Sequence, residues 1–266
     1  MHINKKRGQL SYEYVIIAGT LLVVLIPFFY YSFELMHSQL NDYYGGIAVN
    51  TIADLTKTAS NLFRGSTIEA VIRLPKDLEE ISSVGGKHVT LKFSNGEDIN
   101  ALGGGYSRFG APSLEGGPRT VSVTKIVGSV MTISFGGPVI ACLTKVNRAI
   151  SEKSCINQAE GKEILNIKPS EELMIVGSGM SGNTNVLLQK WENVDGSYQW
   201  DDQSQHDNAV VFIPGNADEA PLGDVMQFAE PTYGSGNYRV SVEEMNFVSN
   251  YAYFSVGGKG EDDDSD

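Results

Sequence analysis

Cysteine, histidine and positive charge are all scarce in this sequence. It has two cysteines and four histidines, and its 20 lysines and arginines stand against 32 acidic residues, which gives a net charge of −12. The histidines are too isolated to form a metal site, and we expect no metal or other cofactor. A chain this acidic repels phosphate backbones and anionic lipid headgroups, so we expect no nucleic-acid partner.

Repetitive and low-complexity stretches are also missing from most of the chain. The 29 glycines and 9 prolines follow no collagen period, and hydrophobic residues make up 41% of the sequence. This composition excludes collagen, coiled-coil rods and disorder of the whole chain. A length of 266 residues is enough for about two domains with hydrophobic cores.

The apolar residues are concentrated near the amino end. No charged residue occurs from Tyr14 to Phe33, and as a helix this run would span roughly 30 Å, the hydrocarbon thickness of a bilayer. The run is longer than the apolar part of a secretory signal, and no small-residue cleavage site follows it. Basic residues precede it and acidic residues follow it, which predicts a cytoplasmic amino end and an external remainder. Pro27 is expected to bend the helix.

The segment just before this run carries a specific motif. Residues 5–14 read KKRGQLSYEY, which resembles the class III signal peptide of archaeal type IV pilin-like proteins, with the pattern Q-x-S-x-E-Y. In that family a prepilin peptidase cuts before the glutamine, so the resemblance implies a cut between Gly8 and Gln9. The leader that is removed would contain the basic cluster of Lys5, Lys6 and Arg7.

Glu13 places a carboxylate at the edge of the apolar run, where a charge needs a partner. By the resemblance, cutting before Gln9 frees a positive α-amine, and an unpaired carboxylate in an apolar filament core would cost several kcal/mol. Pairing of Glu13 with a neighbouring subunit's amine would remove that cost and set the register of assembly. The alternative is that Glu13 only marks the interfacial end of a lone membrane anchor.

The resemblance implies a structural role rather than an enzyme: a prepilin-type subunit of an archaeal surface filament. Its partners would be other pilin subunits, a prepilin peptidase, the membrane and a pilus assembly platform. The carboxyl-terminal regions would lie outside the cell, and their size favours a minor or adhesive subunit. The alternative is a single-pass surface binding or adhesion protein that uses the same helix only as an anchor.

The remaining pattern predicts an α+β chain with two β-domains. A helical spacing of apolar residues continues to Leu62, with an interruption at Gly45 and Gly46, and period-2 alternation begins at residue 67. From Glu163 onward a second series of short strands resembles an immunoglobulin-like sandwich. The expected organisation is leader 1–8, transmembrane and amphipathic helix 9–65, first antiparallel β-domain with linker 66–160, immunoglobulin-like β-sandwich 161–258 and disordered acidic tail 259–266.

The two cysteines, Cys142 and Cys155, both fall on the expected outer side. Oxidising conditions there allow a disulfide between them. The bridge would close a short loop and contribute roughly 3 kcal/mol to stability. Two free thiols are one alternative, and a metal-binding or nucleophilic role is another.

Two short motifs match enzyme signatures in an unsuitable context. Residues 177–182 match G-x-G-x-x-G, but the residues after them alternate like a strand, so we expect a turn between strands and no dinucleotide site. Ser122 and Lys125 have the S-x-x-K spacing, but period-2 alternation places them on opposite faces. The glycine-rich stretch 103–118 is expected to be a surface loop.

Acidic and aromatic residues gather between positions 191 and 207. The aspartates could hold Ca²⁺, but their spacing fits no EF-hand, so we interpret them as a solvated acidic face: Asp195, Asp201, Asp202 and Asp207. Trp191, Tyr198 and Trp200 lie in or near the same loop. They allow either an aromatic carbohydrate-binding surface or ordinary core packing.

Overall fold

A computed structural model of the chain describes residues 5–110, 115–146, 148–169, 171–194, 197–200, 210–213, 224–228 and 234–257. It confirms the α+β class, since a long amino-terminal helix precedes a series of mostly antiparallel strands. The chain divides into two compact units, Met1–Tyr44 and Gly45–Asp266. All the strands that the structure describes belong to the second unit.

The first helix, α1, runs without interruption over Lys5–Ser60 and continues through Pro27. The interruption expected at Gly45 and Gly46 is therefore absent. Gly45 is buried, and a Cβ atom at this position would lie 2.8 Å from Cζ of Phe93. The glycine thus allows the helix to pack closely on the strand that contains Phe93, and it does not change the direction of the chain.

Two sheets and the last turns of α1 enclose the first hydrophobic core. The strands of this region are Thr67–Leu74 (β1), Leu78–Val84 (β2), His88–Phe93 (β3), Asp98–Leu102 (β4), Tyr106–Phe109 (β5), Gly117–Val127 (β6) and Val130–Ser134 (β7). One sheet has the order β1-β6-β7-β5, and the other has the order β2-β3-β4. Apolar residues of both sheets, such as Leu91 and Val123, pack with Ile52 of the helix in one cluster.

Two further sheets enclose the second core. In chain order this region contains Val139–Lys145 (β8), Glu152–Ala159 (α2), Leu165–Ile167 (β9), Leu173–Ser178 (β10), Asn185–Val194 (β11), Ser197–Trp200 (β12), Val210–Ile213 (β13), Asp224–Phe228 (β14), Gly236–Glu244 (β15), Phe247–Val248 (β16) and Ala252–Val256 (β17). The sheet orders are β13-β14-β10-β8 and β12-β11-β15-β17-β9, with β16 paired to β15. Residues from both sheets, including Ile175 and Phe254, form one hydrophobic cluster.

Strand β8 joins the two β-regions. It precedes residue 160, yet it pairs with β10, where Leu143 lies opposite Ile175. A third cluster, which includes Val130 and Val176, continues from the β6–β7 hairpin to this sheet. The boundary expected between residues 160 and 161 therefore does not separate two sheet systems, because a strand from before it completes a sheet formed after it.

The glycine-rich stretch 103–118 also differs from the expectation of a surface loop. It contains β5, which pairs in parallel with β7, and the beginning of β6. A Cβ atom at Gly104 would lie 2.4 Å from Cα of Lys57, and the Gly104 N–H donates a hydrogen bond to Thr56 Oγ1 at 2.9 Å. The missing side chain therefore permits close packing against α1.

Candidate functional site

The first half of α1 carries an uncovered apolar surface. Most large apolar side chains from Tyr12 to Leu40 are 40–73% exposed. They surround the whole helix, because consecutive residues such as Leu21, Leu22 and Val23 are all exposed. An 18-residue window of this helix has a mean hydropathy of 2.2, and none of it is buried. By length and composition the helix can span a membrane.

Glu13 lies at the amino-terminal border of this surface. Its side chain is exposed, and it forms no ion pair with any of the residues whose side chains the structure describes. It follows Gln9 by four positions, which is about one helical turn or 6 Å along the axis. A positively charged group on another molecule can therefore reach the Glu13 carboxylate.

The predicted cleavage segment is part of the same helix. The backbone of Lys5, Lys6, Arg7, Gly8 and Gln9 is helical, and their side chains lie outside the described part of the structure. The structure therefore places the predicted cut at the start of α1, directly before the segment that can enter a membrane.

The two cysteines are joined in a disulfide. Cys142 on β8 and Cys155 on α2 are bonded, with their Cα atoms 5.0 Å apart. Both side chains are buried in the third hydrophobic cluster. The bridge therefore fastens α2 to an edge strand beside the junction of the two β-regions, and it leaves no free thiol at either position.

Two side-chain amides complete the outer edge of β8. Gln158 accepts a hydrogen bond from the Leu143 N–H at 2.8 Å and donates one to the Leu143 carbonyl at 2.8 Å. Asn250 forms the equivalent pair of hydrogen bonds with Ile140. Each amide thus replaces one residue of an absent neighbouring strand. Neither contact was predicted from the sequence, because β8 was not predicted and the bonded residues are 15 and 110 positions apart.

Glu152, in the first turn of α2, binds the β6–β7 turn. Its Oε1 accepts hydrogen bonds from Ser129 Oγ at 2.6 Å and from Ser129 N–H at 2.7 Å. These two bonds, the hydroxyl bond first, lower the pKa of the Glu152 carboxyl below its ordinary value. The contact ties the first sheet to α2.

Aromatic residues cluster on the larger sheet of the second core. The rings of Trp191 and Trp200 are 4.9 Å apart, and Trp200 and Tyr253 are 5.9 Å apart. The Arg239 guanidinium lies 4.7 Å from the Trp200 ring centroid and 4.1 Å from that of Tyr251. Trp191, Tyr251 and Tyr253 are partly exposed, so this aromatic group is a surface feature. The side chain of Tyr198, which the sequence places near Trp191 and Trp200, lies outside the described residues.

The two enzyme-like motifs have structural roles. Residues 177–182 contain the end of β10 and most of its connection to β11, with Gly179 at φ +70°. A strand follows where a dinucleotide fold would need a helix. Ser122 donates a hydrogen bond to Glu69. Lys125 instead donates to the carbonyls of Ser60 and Leu62, where it caps the carboxyl end of α1. Ser122 and Lys125 therefore have separate partners.

Asp195, Asp201, Asp202, Asp207 and the tail 259–266 lie outside the described residues. Within the described part of the chain, no group of histidine, cysteine, aspartate or glutamate side chains could hold a metal ion.

No protein-family model matches the chain, and no curated protein is significantly similar to it.

Proposed function

We propose that this chain is a prepilin-type subunit of an archaeal type IV pilus-like surface filament. One observation carries the proposal: the Q-x-S-x-E-Y pattern of residues 9–14 stands directly before a helix whose apolar surface is exposed on all sides. A leader cut before Gln9 leaves this helix on the mature protein. The same surface can then lie in lipid before assembly and against other helices afterwards.

Assembly through the helix explains the position of Glu13. The uncharged run from Tyr14 to Phe33 would be buried among sibling helices, where a lone carboxylate is unfavourable. The α-amine of Gln9 on a neighbouring subunit supplies the cation. In this proposal the pair sets the axial position of one subunit against the next.

The second unit would form the external part of the subunit. In our proposal its sheet pair around the second core is an immunoglobulin-like sandwich, and its size favours a minor or adhesive subunit over a bulk one. The buried disulfide suits an oxidising exterior. The partners are other pilin subunits, a prepilin peptidase and a membrane assembly platform.

The mature amino terminus tests the proposal. The full chain is expressed with its prepilin peptidase, and the purified protein is analysed by terminal sequencing. We expect a mature start at Gln9, and we expect this start to be lost in a Gly8→Val variant. Gly19→Val is the matched control, because a Cβ atom at position 19 has no neighbour within 4 Å. An intact Met1 in the wild type would instead favour a single-pass surface protein that is not assembled.

A further inference from the structure

Arg108 lies in a cleft of the second unit that the filament proposal does not use. The cleft has a volume of about 560 Å³ and is bordered by β2, β5 and the segments after α2 and before β17. This volume falls within the range of small-molecule sites, which is roughly 300–1,000 Å³. The lining residues that matter here are Ser83, Tyr106, Arg108, Glu160, Lys162 and Tyr251.

The Arg108 guanidinium is poorly satisfied. It donates to the carbonyls of Ala159 and Tyr251 over 3.4 Å each, which is at the limit for a hydrogen bond. Its Nε is buried and has no partner, and no carboxylate among the described residues lies within ion-pair distance of it. Burial lowers the pKa of Arg108 below its ordinary value, but an arginine remains charged at neutral pH. A shielded cation of this kind needs an anion.

Ser83 provides a second polar group without a partner in the same cleft. Its Oγ is buried and forms no hydrogen bond. Buried polar groups in folded proteins nearly always have partners. Both residues, Ser83 and Arg108, line the same cleft, which points to a partner from outside the chain.

The other charges in and beside the cleft favour an anionic partner. Lys162 and Glu160 pair at 2.6 Å. Lys87 and Arg239 lie over the rings of Tyr106 and Tyr251, so positive charge exceeds negative charge in and beside the cleft. A ligand with one or two carboxylates matches this excess of positive charge.

The aromatic residues at the cleft favour a ring-shaped ligand with apolar faces. Tyr106 lines the cleft, and Tyr251 is 39% exposed at its border. Arg239 connects Tyr251 to Trp200 and thus to the aromatic group described above. Aromatic side chains combine a large apolar surface with polar tips, which suits a sugar with a hydrocarbon face and hydroxyl edges.

We propose that this cleft binds a carboxylate-bearing sugar, a hexuronic acid or a short chain of such units. The sugar carboxylate pairs with Arg108, a hydroxyl bonds to Ser83, and the sugar ring packs against Tyr251. The proposal does not depend on cleavage before Gln9, since a filament subunit and an anchored surface protein could both display the site. A test of sugar binding can therefore contradict this proposal without contradicting the filament proposal, and the reverse is also true.

Calorimetric titration of the full chain in detergent micelles tests the ligand class. The probes are digalacturonate, the neutral disaccharide of galactose, and a peptide with the sequence of residues 261–266, EDDDSD. We expect digalacturonate to bind with a dissociation constant below about 1 mM and at least tenfold more tightly than the neutral sugar. Equal binding of both sugars, or no binding of digalacturonate, would overturn the proposal. Binding of the peptide alone would overturn it in favour of an acidic segment as the occupant.

Variants identify the residues involved. Arg108→Gln should weaken digalacturonate binding at least about tenfold, and Ser83→Ala should weaken it by about threefold. Arg119→Gln is the matched control, because Arg119 pairs with Glu115 and does not line the cleft. Unchanged affinity in a folded Arg108→Gln protein contradicts the proposal. If that variant does not fold, the Ser83→Ala titration and the comparison of the two sugars decide.

Discussion

The side chain of Asn250 pairs with the backbone of Ile140 as a neighbouring strand would. Its Nδ2 donates to the Ile140 carbonyl at 2.9 Å, and its Oδ1 accepts from the Ile140 N–H at 2.8 Å. Ile140 belongs to β8, which stands at the end of its sheet. An open strand edge is a template for pairing with other chains. Asn250, together with Gln158, therefore closes an edge that would otherwise attract a foreign strand.

Replacement of Asn250 by leucine tests this closure. The leucine keeps a similar volume but leaves the Ile140 N–H and carbonyl without partners, so we expect a loss of about 2 kcal/mol in the free energy of unfolding. Urea denaturation measures this change in the free energy of unfolding. The control is Asn61→Leu, since Asn61 is exposed at the end of α1, and that change should cost less than about 0.5 kcal/mol. Equal losses in both variants would mean that the Asn250 bonds do not stabilise the fold.

Glu13 should matter for assembly and not for insertion. A Glu13→Ala variant removes the carboxylate and leaves the apolar run intact, so the protein should still enter the membrane while the yield of filaments falls. Glu13→Gln is the isosteric control, and it should share the defect because charge is the relevant property. Membrane fractionation and quantification of sheared filaments measure the two effects. Normal filament yield in both variants would exclude the pairing role.

The disulfide should contribute measurably to stability. Cys142 and Cys155 are separated by 13 positions, and closing a loop of this size is worth roughly 3 kcal/mol in the chain-entropy model. A variant with Cys142→Ala and Cys155→Ala should therefore unfold at a lower urea concentration. The wild type measured with a reducing agent is the control and should approach the variant. A variant as stable as the oxidised wild type would contradict the prediction.

Acidification should weaken the contact between Glu152 and Ser129. The Glu152 carboxyl has a lower pKa in the folded chain than its ordinary value. Its contribution is therefore complete above the unfolded pKa, about 4.3, and is lost as the pH falls through the folded pKa. Glu152→Gln should cost about 1 kcal/mol at pH 7 and flatten the dependence of stability on pH below about pH 5.

Ser129→Ala provides the matched variant for this prediction. It removes the hydroxyl that donates the stronger of the two interactions and keeps the backbone N–H. We therefore expect the pH dependence of its stability to lie between those of the wild type and Glu152→Gln. Urea titrations between about pH 3 and pH 7 give the unfolding free energies for this comparison. A steeper acid dependence in Glu152→Gln than in the wild type would contradict the assignment.

Replacing the adjacent glycines Gly45 and Gly46 of α1 by alanine should change the stability of the protein in opposite directions. A Cβ atom at Gly45 would lie 2.8 Å from Phe93 and 2.9 Å from Ile99, whereas one at Gly46 has no neighbour within 4 Å. Gly46→Ala should therefore stabilise the protein by up to about 1 kcal/mol through helix propensity. Gly45→Ala should destabilise it by about 1–3 kcal/mol through overpacking. Thermal unfolding of both variants gives the comparison, and equal shifts would contradict the packing role of Gly45.

The sequence predicted those elements that have one buried face. The alternation in β1 is visible because Ile72 and Leu74 point inward while Val71 is exposed. In β8 nearly every residue is buried, so no period of two appears and the strand was missed. The glycines of 103–105 indicated a loop by composition. Their packing against α1 and the β6–β7 turn depends on contacts between distant segments, which local patterns do not contain.

The candidate sites also differ in how far the sequence alone predicts them. The motif around Gln9 and Glu13 is contiguous, so the sequence alone is sufficient to predict it. Arg108 and Ser83 are 25 positions apart and belong to no motif. Only the packing of β2 against β5, which belong to different sheets, brings them together at one cleft.

The pairing of β8 with β10 limits how this protein can be divided or recombined. A gene fragment that ends near residue 160 would expose the β8 surface that β10 normally covers, and a fragment that begins there would lack a border strand. Neither fragment is therefore a complete folding unit that could be moved into another protein. Exchange of the second unit with that of another protein should therefore succeed only at a junction near residue 44, where the last turns of α1 stay with the sheets against which they pack.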